Sequence, residues 1–487
     1  MYSHVVIGTG PAGWASCLTL IQNGIKPLVL DIAGQDSDEL KRQSPSPAAS
    51  SGLAKKGSFG STSMYNYPTT NKIHFENLDS IPLSSEMGGL SNVWGSNIQN
   101  LQKFQAKAWG SEANNMFESI AEILKEFPHS GKKDSLEEIA PWPIDFPDET
   151  PNSPRMTKIL NRSKKLPNRS HWSIGQARNA TAGINNGCIM CGKCLTGCPE
   201  NVIFNTKFVF NQWINQNKIE FKRVYVTKLD NNNNTSWTIS GIDPQNKKVV
   251  EIQATQVFLG SGAIASTVLL NRSKLIPNDV ELSDTQVFYF PLLSYRDSAK
   301  DSGKYALAQV FVSSADSDKI TNAFHYSLYE NSETIKDRIS AIYPFLSKLL
   351  PNFFLKQILS GIGFIHPSKS GKIQISHEGP NPIVKGLKSS KIRKSIWRTY
   401  FSTLIDLTKI GLFPLPIFLS PKVGSSYHVG ALKLNDSALT DLDGIIPGLA
   451  GLYCIDAASL PLLPTGPTTL LIMGNSRRIT QNSLSKS

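Results

Sequence analysis

Four of the six cysteines fall within eleven residues, as Cys188-Ile189-Met190-Cys191-Gly192-Lys193-Cys194-Leu195-Thr196-Gly197-Cys198-Pro199. Thiolates at this spacing can curl around an iron–sulfur cluster while backbone N–H groups bond its sulfides and the proline ends the turn. The run has the spacing of bacterial ferredoxin ligands, yet in two-cluster ferredoxins the fourth cysteine serves the other cluster. No second run exists here. The pattern therefore leaves open a 4Fe–4S cluster on Cys188, Cys191, Cys194 and Cys198, a 3Fe–4S cluster on three of them, a zinc ion, or no metal. Cys17 and Cys454 stand alone in apolar surroundings. A disulfide framework would be spaced differently, and a clustered set of cytosolic thiols points to a metal site. A cluster would relay single electrons to an external acceptor, which makes the chain a dehydrogenase rather than a peroxide-producing oxidase.

A second site is written at the N-terminus. Gly8-Thr9-Gly10-Pro11-Ala12-Gly13 follows the apolar strand Val5–Gly8 and opens a helix over Pro11–Asn23, with a second strand at Pro27–Asp31. Gly8 permits a tight turn, Gly10 lets the backbone approach a diphosphate, and Gly13 lets helix and strand pack closely. The exposed N–H groups at the helix start suit the diphosphate. Asp31, eighteen residues after Gly13, is placed to accept hydrogen bonds from a ribose. This segment alone does not separate NAD from FAD.

Other segments resemble the glucose–methanol–choline (GMC) oxidoreductases. The run Glu86-Met87-Gly88-Gly89-Leu90-Ser91-Asn92-Val93-Trp94-Gly95 is similar to that family's flavin-contacting loop. Leu259-Gly260-Ser261-Gly262-Ala263-Ile264 is similar to its second FAD-contacting strand and helix. Trp142-Pro143-Ile144 and Gly371-Lys372-Ile373 occur where the family has similar segments. The fullest likeness is Gly451-Leu452-Tyr453-Cys454-Ile455-Asp456-Ala457-Ala458-Ser459-Leu460-Pro461, then Gly466-Pro467-Thr468-Thr469. The resemblance implies FAD as cofactor. It places Gly88, Gly89, Ser91 and Asn92 along the flavin, with Val226 and Gly260 also in the cofactor site. It puts Asp456 near the ribityl chain and Pro467 and Thr468 at the ring. Some members attach FAD through a histidine in the Gly-Gly loop, and none occurs from Glu86 to Gly95.

His428, in Ser425-Ser426-Tyr427-His428-Val429-Gly430, falls where the family carries its catalytic histidine. Imidazole suits the removal of a hydroxyl proton as hydride leaves the carbon. Two departures stand out. Only Val429 separates His428 from its glycine, where the family has two residues. Gly466 occupies the position of the family's second active-site His or Asn, and glycine offers neither. The resemblance thus implies oxidation of a CH–OH group in an alcohol, sugar or lipid-linked substrate, with an external electron acceptor. The rival is a flavin/iron–sulfur electron-transfer subunit with no alcohol chemistry of its own, and a further reading keeps FAD without net redox.

The elements required to hold these residues define the expected fold. It is α/β, with a Rossmann-like FAD domain interleaved with an α+β substrate domain on an antiparallel sheet. The FAD domain is expected from 1–100, 186–275 and 426–487, and the substrate domain from 101–185 and 276–425. Residues 35–63 are polar and serine-rich without periodicity, which reads as a surface loop. A helix is expected over 102–126. Strands are expected over 221–229, 236–242 and 249–260, with a turn at Asn231–Asn234.

Apolar content of 40% with 18% charged residues fits a globular protein. The strand that starts at Val5 leaves no room for a targeting peptide, so a cytoplasmic location is expected. The net charge of +12 is uneven: residues 340–425 hold twelve Lys/Arg against Glu378 and Asp406. Within them, residues 385–419 join Lys385, Lys388, Lys391, Arg393, Lys394 and Arg398 to an apolar run. A cationic face over ordinary core explains this stretch, and so does contact with an anionic membrane surface or substrate. Asp406, Lys409, Pro414 and Pro416 argue against a membrane span, and no segment resembles a nucleic-acid module.

Overall fold

A computed structural model describes residues 1–33, 73–78, 83–166, 172–194, 198–232, 235–298, 300, 303–314, 322–330, 355–378, 381–420, 423–424 and 428–486. The expected serine-rich loop at 35–63 lies outside them, as do Asn233–Asn234 and Ser425–Tyr427.

β1 (Tyr2–Ile7) and β2 (Leu28–Asp31) pair in parallel on either side of α1 (Pro11–Gln22), with Val5 opposite Leu28 and Ile7 opposite Leu30. Parallel strands covered on both faces need apolar residues in unbroken runs. Val5, Val6, Leu28, Val29 and Leu30 supply them, and all are buried. Pro11 opens α1, where its missing N–H breaks no helical bond.

The remaining strands of this sheet are β5 (Glu220–Arg223), β6 (Tyr225–Asn232), β7 (Ser236–Ile242), β8 (Val249–Leu259) and β19 (Leu452–Cys454). Their order is β5-β2-β1-β8-β7-β6, with β19 parallel to the end of β8. The single strand expected over 221–229 is two. The chain bends at Val224, whose N–H donates to Asp31 O at 2.8 Å. β5 then extends the parallel sheet beside β2 while β6 turns back antiparallel to β7. One straight strand could not serve both partners.

α2 (Ala113–Leu124), α5 (Ala263–Arg272) and α7 (Thr469–Ser485) complete this part. The helix expected over 102–126 is broken: a 3-10 segment at Gln105–Glu112 kinks at Gly110 before α2 begins. α7 is fastened to α1 by Ser476 Oγ on Ala12 O at 2.7 Å and by Thr480 Oγ1 with Ser16 Oγ at 2.9 Å. The two ends of the chain thereby share one core.

A second sheet is antiparallel throughout, in the order β16 (Leu412–Pro414), β10 (Val287–Ser294), β13 (Ile358–Ile365), β12 (Phe324–Tyr329), β11 (Ala308–Ser314), β4 (Trp172–Gln176). Its side chains alternate between two faces. Phe324, Tyr326 and Leu328 join a core with Met156 and Ile159 of α3 (Pro154–Ser163) and Ile396 and Leu407 of α6 (Ile392–Lys409). His325, Ser327 and Tyr329 occupy the other face. The apolar run Ile358–Ile365 is an interior strand, between β10 and β12.

The third sheet runs β18 (Ser437–Ala438), β17 (Val429–Leu434), β9 (Val280–Asp284), β14 (Lys372–Glu378), β15 (Asn381–Leu387), β3 (His74–Glu76). Its strands come from widely separated parts of the chain. α4 (Thr206–Asn215) links the cysteine segment to the first sheet. The fold is mixed α/β, a Rossmann-like sheet with an antiparallel-sheet region beside it.

Candidate functional site

One cavity is lined from both ends of the chain. Gly8, Gly10, Pro11, Ala12 and Asp31 enter it from the first β-α-β unit, and Asp456, Ala457 and Thr469 from the C-terminal turn. Gly89, Val226 and Gly260 also line it. The starts of α1, α5 and α7 all face this space, through Pro11, Ala263 and Thr469. None of the three helices has an acidic residue in its first turn or a side chain capping its own N-terminus. The starts of these helices bring N–H donors and partial positive charge to the cavity wall, although at α5 the Gly262 N–H is already taken by the Asp456 carboxylate. That is an environment for an anionic group such as a diphosphate. A Cβ built on Gly10 would meet nothing within 4 Å, so the backbone there is open to close approach.

Asp31 lines the cavity and also holds the glycine turn. Its Oδ2 accepts from Thr9 N at 2.8 Å and Thr9 Oγ1 at 2.7 Å, and its Oδ1 accepts from Ala33 N at 2.9 Å. Burial raises its carboxyl above the ordinary range, although these hydrogen bonds oppose the rise. Thr9 Oγ1 in turn accepts from Gly88 N at 2.9 Å, and Thr9 O accepts from Thr206 Oγ1 at 2.9 Å. Thr9 thus joins the glycine turn, the Gly88-Gly89 loop and α4. Sequence reasoning passed over it because the middle residue of a glycine motif is ordinarily variable.

Ser91 and Asn92 brace that loop rather than line the cavity. Ser91 Oγ donates to Gly88 O at 2.6 Å, and Asn92 Nδ2 donates to Met87 O and Gly89 O at 2.8 and 3.0 Å. Asn205 Nδ2 donates to Asn92 Oδ1 at 2.8 Å. Gly13 also lies behind the site, packed on Gly8. Asp456 holds its position through Gly262 N and Ala458 N, at 3.0 and 2.9 Å, and through Ser266 Oγ. Burial pushes its carboxyl up to about 6.

His428 is buried, and its Nδ1 lies 3.1 Å from Thr468 Oγ1, which ties it to the Pro467-Thr468 turn. Burial lowers its pKa to about 3, so the ring is neutral at ordinary pH. Phe364 packs edge-on against it with centroids 5.0 Å apart, and against a second imidazole, His325, at 5.3 Å. His325 is also held near 3, first by burial and then by His428.

This second histidine stands where the sequence shows only glycine. A Cβ added to Gly466 would lie 3.4 Å from His325 Cγ and would collide with Gln99 Oε1. The absent side chain at 466 is what lets His325 and Gln99 reach the turn. His325 Nδ1 lies 2.8 Å from Ser313 Oγ and Nε2 lies 3.2 Å from Ser327 Oγ. Asn97 Nδ2 donates to Ser327 Oγ at 3.2 Å and to Tyr329 Oη at 2.8 Å. The buried side-chain oxygens of Gln99 and Asn97 have no hydrogen-bond partner. The available signal was the alternation His325-x-Ser327-x-Tyr329 against Phe324, Tyr326 and Leu328, a polar face on a buried strand.

The cysteine segment is an excursion closed by a short ladder, with Ala182 N bonded to Val202 O at 3.0 Å and Phe204 N to Ala180 O at 2.9 Å. Leu195–Gly197 lie outside the described residues. Cys188, Cys191, Cys194 and Cys198 are free thiols that influence one another electrostatically around Tyr305. Burial, reinforced by the other three, pushes Cys194 up to about 12. Among the described residues, no three His, Cys, Asp or Glu side chains converge as ligands of a metal ion. The donor set is present and the converged geometry is not, so no metal-dependent step is derived from this loop. Cys17 and Cys454 are buried in the first core, where desolvation keeps them protonated.

No protein-family model matches the sequence, and no curated protein matches it. Among solved structures the chain is similar to the crystal structure of pyridoxine 4-oxidase from Mesorbium loti, with a TM-score of 0.65 and 14% identity. The match covers 100% of this chain and 99% of that one, so the shared fold extends from end to end.

Proposed function

We propose that this chain is an FAD-dependent oxidoreductase acting on a CH–OH group. The observation that supports it most is the cavity lined by three helix starts, α1 and α7 from the two ends of the chain and α5 from between them. Gly8, Gly10, Pro11 and Ala12 would hold the diphosphate, Asp31 the adenosine ribose, and Asp456 the region beyond it. Bound there, FAD supplies the two-electron acceptor that no side chain can provide.

The chain's own residues contribute the proton chemistry. Thr468 Oγ1, 3.1 Å from Nδ1, fixes the rotation of the His428 ring, and that imidazole is the base for the substrate hydroxyl proton. His325, held by Ser313 and Ser327 on its two ring nitrogens, would stand on the substrate side beside Gly466. The rival, a flavin/iron–sulfur electron-transfer subunit with no alcohol site of its own, has no use for two buried imidazoles on one phenyl ring. Purified protein should carry a flavin spectrum, and an alcohol or sugar from a panel should bleach it without oxygen. A flavin that only an external donor reduces would leave the electron-transfer reading instead.

The lowered pKa of His428 sets a pH dependence. A ring depressed from the ordinary 6.5 to about 3 gains its proton only as pH falls toward 3. Flavin reduction by substrate should therefore be flat from pH 8 down to about pH 5. Stopped-flow rates that fall through a midpoint near the ordinary imidazole value would contradict this placement.

A finer reading concerns the exit of electrons. The ferredoxin-like spacing of Cys188, Cys191, Cys194 and Cys198 would supply a donor set for a cluster, although these thiols do not converge as ligands among the described residues. Iron and acid-labile sulfide in stoichiometric amounts, in protein purified without oxygen, would carry that reading. Their absence returns the loop to a structural role and the acceptor to direct contact with the flavin.

A further inference from the structure

The outer face of α6 is built against the ordinary rules for a water-exposed helix. Phe401 and Ile405 are each 64% exposed, and Trp397 stacks on Phe401 with centroids 5.6 Å apart and planes at 25°. Positions 397, 401 and 405 recur at four-residue spacing and so form one stripe along the helix. The opposite side, with Ile396, Tyr400 and Leu407, is buried on the antiparallel sheet. The stripe extends past the helix end through Tyr295, 49% exposed, whose hydroxyl donates to Thr408 O at 2.5 Å.

The charges are as unusual as the apolar residues. Lys391 is the N-cap residue, Arg393 and Lys394 sit in the first turn, and no acidic residue accompanies them. Cations at a helix N-terminus oppose the helix dipole, so this arrangement is unfavourable in the isolated protein. Arg398 lies one turn on. No carboxylate pairs with Lys391, Arg393, Lys394 or Arg398 among the described residues. An anionic surface laid along this face would relieve the dipole conflict, pair the cations and cover the stripe together.

We propose that α6 docks the protein on an anionic lipid bilayer, with Trp397, Phe401 and Ile405 entering the interface and Arg393, Lys394 and Arg398 contacting headgroups. No described helix is long and apolar enough to cross a membrane, so the contact is with one leaflet. The opposite face of the sheet carries His325, which leaves the candidate active site clear of the docked surface.

Sedimentation of the whole protein with vesicles tests this. The expected result is binding to vesicles containing about 30% phosphatidylglycerol, little binding to phosphatidylcholine alone, and release by salt as screening sets in. Phe401→Asp with Ile405→Asp should weaken binding at least ~10-fold, and so should Arg393→Glu with Lys394→Glu. Both variants alter exposed positions and should melt as the parent does, with unchanged flavin content. Failure of the parent to bind anionic vesicles overturns the proposal. So does light scattering that shows a dimer dissociated by Phe401→Asp/Ile405→Asp, which would make the face a contact between copies. Neither outcome touches the flavin reading, since vesicle binding is measured without substrate.

Discussion

His428→Ala is expected to keep FAD bound and to slow flavin reduction by the substrate at least ~100-fold, the lower end of general-base contributions. His428 is absent from the lining of the cavity, so its removal leaves Asp31 and the starts of α1 and α5 untouched, while the start of α7 loses the contact to its N-cap residue Thr468. The lost group is the one proposed to take the hydroxyl proton. His428→Asn gives the sharper form of the test, because a carboxamide can still meet Thr468 Oγ1 but cannot act as a base. Both variants should show the same slow reduction in single-turnover experiments, with flavin-to-protein ratios equal to that of the parent. Truncation beneath the Phe364 ring also opens a small void, with a stability cost of about 2–5 kcal/mol by analogy with other buried truncations. The asparagine variant should retain most of that stability. Reduction at the parental rate in either variant removes His428 from the chemistry.

The N-terminal half of this site was legible because local signals coincide. The strand, glycine turn, helix and second strand lie within thirty-one residues, and each demands particular residue types. Their spatial arrangement adds little that spacing did not already contain. The substrate side was illegible for the opposite reason. His325 and Gly466 are 141 positions apart, on a strand and a turn whose meeting depends on the packing of whole sheets. A lone histidine in β12 carries no local mark of its partners, and Gly466 read as a deficit until the space it leaves was seen to be filled from elsewhere. Ser91 and Asn92 show a related limit. A motif places residues near a ligand, but only hydrogen-bond geometry distinguishes side chains facing it from those fastening the loop behind it. The cysteine spacing specified a donor set without specifying that the thiols converge.

The glycine turn yields the second large effect, because its last two glycines are there for different reasons. At Gly10 an added Cβ meets no protein atom within 4 Å and would project into the cavity. Gly10→Ala should therefore fold and melt as the parent does without cofactor, while FAD affinity falls at least ~10-fold, or ~1.4 kcal/mol. At Gly13 the same methyl would overlap Gly8 O and stand 2.9 Å from Gly8 C, backbone atoms that cannot swing aside. α1 would have to lift from β1, and overpacking of this kind costs roughly 1–3 kcal/mol or more. Gly13→Ala should thus lower the melting temperature of the cofactor-free protein and lose FAD as a consequence. Titration of cofactor-free protein with FAD, followed by fluorescence quenching, alongside thermal melts of both variants, separates the two mechanisms. Parental affinity in Gly10→Ala would mean that no ligand approaches the backbone at that point, and the assignment of the three helix starts to a diphosphate would fall with it.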